Sequence, residues 1–381
     1  MKCICVLTAT RAEYGLLSPL IKKLSAQPEF DTRVVVTGMH LSPEFGLTYK
    51  EIEADGIEID RKIEMLLSSD TPSAVSKSMG IALMGFADYF TETAPDALIV
   101  LGDRYETLAV CIAAINARIP IFHIHGGEIT EGAIDDAIRH CITKLSYLHF
   151  TSTEEYRKRV IQLGEEPDRV FNVGALGVEN ALNAEKMSKE ELEKNIDWEL
   201  GESYAVLTFH PVTLDKQAPE EQVKELLDAL DEITQIKILA TKANADAGGH
   251  VINEMLEQYS KSHENLKLFD SLGMRRYLSA VEHSKFVIGN SSSGLIEVPA
   301  LGVPTVNIGD RQKGRARGSS VIDCETGRED IVKAIKTALE MESKAFDSPY
   351  GTGGTSDRII EEIKKALSKD IDLKKKFYDT P

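Results

Sequence analysis

Short apolar runs alternate along this chain with longer stretches in which apolar residues return every three or four positions. That alternation predicts βαβ units feeding a parallel sheet covered on both faces. In the first half, strands are expected at 3–7, 33–37, 97–101, 120–124, 148–151 and 170–173. Helices are expected at 15–26, 41–55, 73–93, 104–117, 135–145, 154–163 and 178–184. Residues 184–203 are rich in charge and poor in apolar side chains, and read as the domain crossing. The alternation then restarts, with strands expected at 204–208, 237–241, 266–269, 286–289 and 304–308. A last amphipathic helix at 355–367 aligns Ile359, Ile360, Ile363 and Leu367.

At 381 residues the chain is long for a single core, and two domains are expected, 1–182 and 183–365. The C-terminal segment 366–381 is a candidate to return to the first. The expected class is α/β, two Rossmann-like doubly wound domains facing across a cleft, with ligand at the carboxyl ends of the strands. A formal net charge of −17 argues against nucleic acid or an anionic membrane as partner, both of which demand clustered Lys and Arg. An anionic small molecule remains open, since a few local arginines can hold one. No apolar run is long enough to span a bilayer, and the first residues read as a strand rather than a signal segment. Five cysteines without a CxxC pair fit a reducing cytoplasm.

The densest chemistry lies in the run IPIFHIHGGEITEGAIDDAIRH. A strand ends in His123 and His125, the glycines 126 and 127 turn the chain, and Glu128 follows at once. Beyond Gly132 stand Asp135 and Asp136, with Arg139 and His140 a turn later. Two His, one Glu and two Asp at the edge of a sheet cost stability, because like charges and desolvation raise one another's pKa. A plain turn needs none of them, so the run reads as catalytic. The first loop, Thr8 to Gly15, has neither the GxGxxG nor the GxxxxGK[ST] spacing, which weakens hydride-transfer and ATP readings. It offers Arg11 at a helix start, where an anion is favoured. Asp103 and Arg104 end another strand after Gly102, and His40 closes a third.

In the second half His210 follows a strand, and 241–249 form a polar loop at a strand end. The sharpest signal there is Gly289-Asn290-Ser291-Ser292-Ser293-Gly294-Leu295-Ile296-Glu297. Serine hydroxyls and backbone N–H groups at a helix start can cradle a phosphate, and Glu297 can accept from ribose hydroxyls. The segment 309–318, with Arg311, concentrates basic groups in an acidic protein. Together these motifs describe a nucleoside diphosphate held by the second domain and chemistry supplied by the first.

TGMH, GDR, HIHGGE with DD..RH.ITK, FHPVT, GNSSSG..E and G.RQ.GR, in this order, span nearly the whole chain. The set resembles the hydrolysing UDP-N-acetylglucosamine 2-epimerases of the bacterial sialic-acid type. The resemblance implies a glycosyltransferase-B-like fold, no cofactor and no metal, a UDP-sugar substrate, and a homodimer or homotetramer. It implies conversion of UDP-N-acetylglucosamine and water to N-acetylmannosamine and UDP through 2-acetamidoglucal. By position it implies Ser291 and Ser292 on the diphosphate with Arg11 and Arg311, within the bend of Asn290 and Gly294. Glu297 would hold the ribose. Asp103, Asp135 and the loop of His125 and Glu128 fall on catalytic positions, and His40, Arg104 and His210 line the sugar end, His210 assisting the leaving phosphate. Many relatives read HIEGGE, so His125 stands where they carry Glu, and either His125 or Glu128 is left to activate water.

Four other readings compete. Hydrolysis of UDP-2,4-diacetamido-2,4,6-trideoxyglucose, on the legionaminic-acid route, differs only at C4 and C6 of the sugar. The non-hydrolysing epimerases share the fold but have different first-domain loops. His123-x-His125 suggests a zinc hydrolase, though the two-domain layout disagrees. A glycosyltransferase of the same architecture would need an acceptor site, of which the sequence gives no sign.

Overall fold

The computed structural model describes residues 1–69, 71–129, 134–212, 217–243, 249–342 and 346–380. Gly132, Thr213 of the FHPVT motif and 244–248 of the polar loop lie outside the described residues. The chain divides into two compact units, Met1–Glu179 with Gly353–Pro381, and Asn180–Thr352.

The first unit is a parallel sheet of β1 (Lys2–Thr8), β2 (Phe30–Thr37), β3 (Ile59–Ile63), β4 (Ala97–Leu101), β5 (Ile121–Ile124), β6 (Leu148–Thr151) and β7 (Val170–Asn172), in the order β3-β2-β1-β4-β5-β6-β7. Its helices are α1 (Arg11–Ser25), α2 (Tyr49–Ala54), α3 (Pro72–Thr93), α4 (Tyr105–Asn116), α5 (Ile134–Leu145), α6 (Glu154–Gln162) and α7 (Leu176–Asn183), the last carrying the boundary between units. Strand order reverses between β1 and β4, where Ile4 lies opposite Ala97. A reversal of this kind opens a crevice at the carboxyl ends of the two strands.

The strands are apolar on both faces because both are covered. From β1, Ile4 and Val6 enter a core with α1, while Cys5 and Leu7 enter the opposite core with α3 and α4. Buried thiols at Cys5 and Cys111 act there as small hydrophobes. Thr10 caps α1 in a reciprocal box with Glu13, satisfying the orphan N–H groups of its first turn.

The second unit holds α8 (Lys189–Ile196), β8 (Tyr204–Thr208), α9 (Pro219–Leu230), β9 (Lys237–Thr241), α10 (Gly249–Ser262), β10 (Leu266–Phe269), α11 (Gly273–Glu282), β11 (Phe286–Gly289), α12 (Ser293–Ile296), β12 (Thr305–Ile308), β13 (Val321–Cys324) and α13 (Arg328–Glu340). Its strands are also parallel, in the order β10-β9-β8-β11-β12-β13, with the reversal between β8 and β11. Gly289, at the end of β11, has φ +133, and a Cβ there would sit 1.9 Å from the Thr208 carbonyl oxygen. Only glycine lets the two strands meet at this point.

Several boundaries differ from expectation. The first crossing falls within α7, at Glu179/Asn180, not in the charged stretch 184–203. That stretch instead contributes α8, which packs Leu192 and Ile196 into the second unit. The return to the first unit begins at Gly353 rather than 366, so all of α14 (Thr355–Leu367) belongs to it. Its Ile359, Ile360, Ile363 and Leu367 complete the core beside α1. Its first turn is pinned by buried Glu179, which accepts from the Ser356 N–H at 2.5 Å and pairs with Lys23 at 2.9 Å. The helix expected at 41–55 is reduced to α2, preceded by two single turns of 3-10 helix. Strands β3 and β13 were not foreseen: both are sheet edges with mostly part-exposed or exposed residues, so the apolar signal is thin. Among the described residues no helix is long and apolar enough to cross a membrane.

Truncating a buried Ile leaves a cavity, so Ile363→Ala is expected to cost about 2–4 kcal/mol. In denaturant titrations followed by hydrogen exchange, the loss should fall on the unit containing Met1–Glu179 and leave the other transition unmoved.

Candidate active site

The first unit gathers its charged groups where strands β1, β2, β4, β5 and β6 end. Asp103 follows Gly102, whose φ of +79 turns the chain off β4. Its carboxylate pairs with the guanidinium of Arg139 on α5. Arg139 is only 3% exposed and also donates to the Glu128 carbonyl at 2.8 Å, with Asp136 at 3.5 Å. One arginine thus joins the β4 bend, the loop after β5 and the start of α5. Arg139 is not among the residues expected to act, although its place a turn beyond two aspartates is a usable signal.

Asp135 opens α5. Its side chain reaches solvent, yet crowding by protein first and the Asp103 charge second push its carboxyl above the usual range, against the pull of Arg104 and Arg139. His125 sits between the end of β5 and Gly126 with φ +65, a left-handed conformation rarely adopted by L-residues. Its N–H donates to the Phe150 carbonyl at 2.9 Å, and its Nδ1 lies 3.7 Å from Glu128 Oε1. Glu128 is buried and accepts from the Ser152 hydroxyl at 3.1 Å. Gly127 permits the turn: with φ +80, a Cβ there would lie 2.5 Å from the Tyr156 carbonyl oxygen.

Arg104 is held two-pronged by fully buried Glu106, at 3.1 and 2.8 Å, and lies 3.8 Å from Met39 Sδ. Arg11 begins α1 and lies 3.7 Å from Glu51, not against Glu13. Glu13 is buried, and burial pushes its carboxyl up to about 7 although the N–H groups of Ala9 and Thr10 donate to it at 2.8 and 3.1 Å.

Two histidines are committed to structure. His40 is fully buried, with Nε2 on the Thr8 hydroxyl at 3.0 Å and Nδ1 on the Thr48 hydroxyl at 2.8 Å. Burial holds it down to about 4. His123 is also buried: its Nε2–H donates to the Gly102 carbonyl at 2.8 Å, so Nδ1 accepts from Thr143 at 3.3 Å. Burial takes it to about 3, and no lone pair is left for a zinc ion.

In the second unit the bend between β11 and α12 carries half-buried Ser291, Ser292 and Ser293. The Tyr277 hydroxyl donates to Ser293 at 3.0 Å, a contact the sequence did not suggest. Asn290 is buried, and its amide is spent on His210: it accepts the His210 N–H at 2.7 Å and donates to the His210 carbonyl at 2.8 Å. The Asn290 carbonyl accepts from Arg311 at 3.1 Å and from Gln312 at 2.8 Å. The bend, the end of β8 and the basic loop after β12 therefore form one hydrogen-bonded assembly, with His210 and the serines on adjacent strand ends. Gly294 is needed by packing, since a Cβ would lie 2.6 Å from Thr305 Cγ2. Glu297 ends α12, half-buried.

A family model for UDP-N-acetylglucosamine 2-epimerase matches residues 22–364. The chain is 43% identical, over 99% of its length and 98% of the relative's, to the GDP/UDP-N,N'-diacetylbacillosamine 2-epimerase (hydrolyzing) of Campylobacter jejuni. The chain belongs to the hydrolysing UDP-sugar 2-epimerases. It is also 41% identical, over 100% of its length and 98% of the other chain, to the polysialic acid biosynthesis protein P7 of Escherichia coli. The crystal structure of the Neisseria meningitidis UDP-GlcNAc 2-epimerase bound to UDP-GlcNAc superposes with TM-score 0.80 at 18% identity, covering 96% of this chain and 100% of that one. Membership in the epimerase family agrees with the two-domain α/β fold expected from the hydrophobic alternation.

Neutral burial of histidine makes stability depend on pH. His40, His123 and His149 all lie below the ordinary 6.5 when folded. An unfolded chain therefore binds more protons than the folded one as pH falls through 6.5, and stability drops with it. Glu13, raised to about 7, acts in the opposite sense between 4.5 and 7, and Asp135 more weakly, but three histidines outweigh them. The melting temperature of the first unit should fall steadily below pH 6.5; a flat profile down to pH 4.5 would count against this account.

Proposed function

We propose that the chain converts UDP-N-acetylglucosamine and water to N-acetylmannosamine and UDP, supplying sialic acid synthesis. The observation that carries this reading is the Arg139-bound Asp103 beside Asp135, whose carboxyl lies above the ordinary carboxylate range, so that the two acids stand in unlike surroundings. Such a pair offers one proton acceptor and one proton donor within a single strand-end cluster.

The first step removes the C2 proton as the C1–O bond breaks, leaving UDP and 2-acetamidoglucal with a C1=C2 double bond. Positive charge develops at C1, and the ring of carboxylates stabilises it. Water then adds its oxygen to C1, and C2 takes a proton on the opposite face. We assign the two proton transfers to Asp103 and Asp135, and activation of water to His125 or Glu128. In the second unit Ser291, Ser292 and Arg311 hold the diphosphate, His210 assists the departing phosphate, and Glu297 holds the ribose; in the first unit Arg11, at the start of α1, is assigned to the same anion. Arg104 lines the sugar. His40 and Asn290 contribute by fixing neighbouring loops, since their polar atoms are already engaged within the protein.

A second substrate has its own support. The Campylobacter relative is named for N,N'-diacetylbacillosamine, the 2,4-diacetamido-2,4,6-trideoxy sugar, and exceeds the Escherichia relative in identity by a small margin. The C1–C2 chemistry is the same for both sugars. Each UDP-sugar should be supplied in heavy-oxygen, deuterated water, and kcat/KM compared. The preferred substrate should yield free UDP, heavy oxygen at C1 and deuterium at C2. Formation of a UDP-linked 2-epimer without free UDP would refute the hydrolytic reading.

Isosteric variants at the two aspartates, Asp103→Asn and Asp135→Asn, are each expected to lower kcat by about 10²–10⁴-fold. Near-normal turnover in either would remove that residue from proton handling. Arg139→Met strands the Asp103 carboxylate and should depress kcat by about 10²-fold through loss of orientation, with a smaller change in KM.

A further inference from the structure

The last residues of the chain have a place in the fold that the functional reading does not use. Beyond α14 the tail forms neither helix nor strand, yet it lies against the carboxyl end of α5. The Lys375 ammonium donates to the Lys144 carbonyl at 3.0 Å and to the Ser146 carbonyl at 2.6 Å. It also pairs with Glu165 at 2.6 Å. These three partners use all three of its protons.

Glu165 is itself buried and receives Lys144 at 2.5 Å on its other oxygen and His149 of β6 at 3.0 Å. The Tyr378 N–H donates to the Gly164 carbonyl at 3.0 Å. The Phe377 ring covers Gly164 so closely that a Cβ there would lie 2.3 Å from it, and Lys144 sits 5.2 Å from the ring centre. Charge, backbone and ring contacts therefore converge on one spot.

That spot is the weak end of α5. The final carbonyls of a helix lack intrahelical donors and are usually satisfied by a local cap. Here the Lys144 carbonyl of the last turn and the Ser146 carbonyl just beyond it are served by a lysine near residue 381. The opposite end of α5 carries Asp135, Asp136 and Arg139. Accepting the epimerase reading, we propose that Lys375 is a positioning residue: by capping α5 from the tail, it holds Arg139 and Asp135 in register with Asp103. A rigid helix passes a displacement at one end to the other. Tail docking and chemistry are coupled through that rod, without the tail touching substrate.

The test uses the intact chain of residues 1–381 and compares wild type with Lys375→Met, Lys375→Arg and, as a neighbour control, exposed Lys374→Met. Steady-state UDP release should give a kcat about tenfold lower for the methionine variant, with KM within about twofold. The arginine variant, which can still donate to carbonyl and carboxylate, should recover most of the loss, and Lys374→Met should match wild type. Hydrogen exchange should speed up by about tenfold or more at the carboxyl end of α5 and stay unchanged in α9. A methionine variant with kcat within about twofold of wild type, or with unaltered α5 exchange, overturns the proposal. So does a loss the arginine variant fails to recover. If Lys375→Met does not fold, Lys375→Gln takes its place in the same comparison. Absence of UDP release by wild type would instead refute the epimerase reading, and the exchange arm, which needs no substrate, would still decide whether Lys375 fixes α5.

Discussion

The ion pair between Arg139 and Asp103 is the constraint on which the first unit's strand-end cluster depends. A guanidinium this deeply buried is tolerable only if its donors are used, and they are: Asp103, the Glu128 carbonyl and Asp136 surround it. Each partner lies on a different segment, so satisfying one side chain fixes three backbones. Removing one member of such a pair typically costs about 3–5 kcal/mol, because the survivor keeps its burial without its partner. The arrangement is therefore close to all-or-none. It also accounts for acidic groups crowded at a sheet edge: the arginine offsets repulsion that would otherwise push the loops apart.

The two units manage charge differently. In the first, buried Glu106 and buried Arg139 are each held in a fixed pair with a part-exposed partner, and His40 and His123 are kept neutral as hydrogen-bond connectors between strand ends. In the second, the serine bend relies on hydroxyls and backbone, and Arg311 donates to the Asn290 carbonyl. A chain of net charge −17 repels an anionic ligand at long range. Within a Debye length of about 8 Å, local donors govern instead, so in the proposed reaction a diphosphate answers to the bend and the basic loop rather than to the whole protein.

Much of this was legible in the sequence because strand ends carry their chemistry next to them. Asp103, His125 and the serine bend each follow an apolar run with a glycine nearby, and the structure puts them at strand ends as expected. What failed to show was anything set by distant partners. Arg139 looked like one charge among several on a helix, since nothing local marks its burial against Asp103. Asn290 looked like a ligand contact because its amide partner, the His210 backbone, lies 80 positions away. His40 looked like a residue lining the sugar because Thr8 and Thr48, which take both its ring nitrogens, are remote in sequence or in helical phase. The return of α14 was foreshadowed by its apolar face, but its extent depended on Glu179 reaching the Ser356 N–H. Edge strands β3 and β13 escaped notice because half-exposed strands have no apolar run to display.

His125 draws these threads together. A left-handed residue other than glycine costs roughly 1 kcal/mol or more, and it persists where surrounding contacts over-determine it. Here the N–H bond to Phe150 and the obligate glycine at 127 leave the backbone little choice. The conformation turns the 125 side chain towards Glu128, whatever that side chain is. A glutamate at this position would set a second carboxylate against Glu128 and raise the proton affinity of both. A histidine removes that repulsion and presents a base whose ordinary pKa lies close to neutrality. In the proposed reaction the imidazole or Glu128, 3.7 Å apart, then activates water.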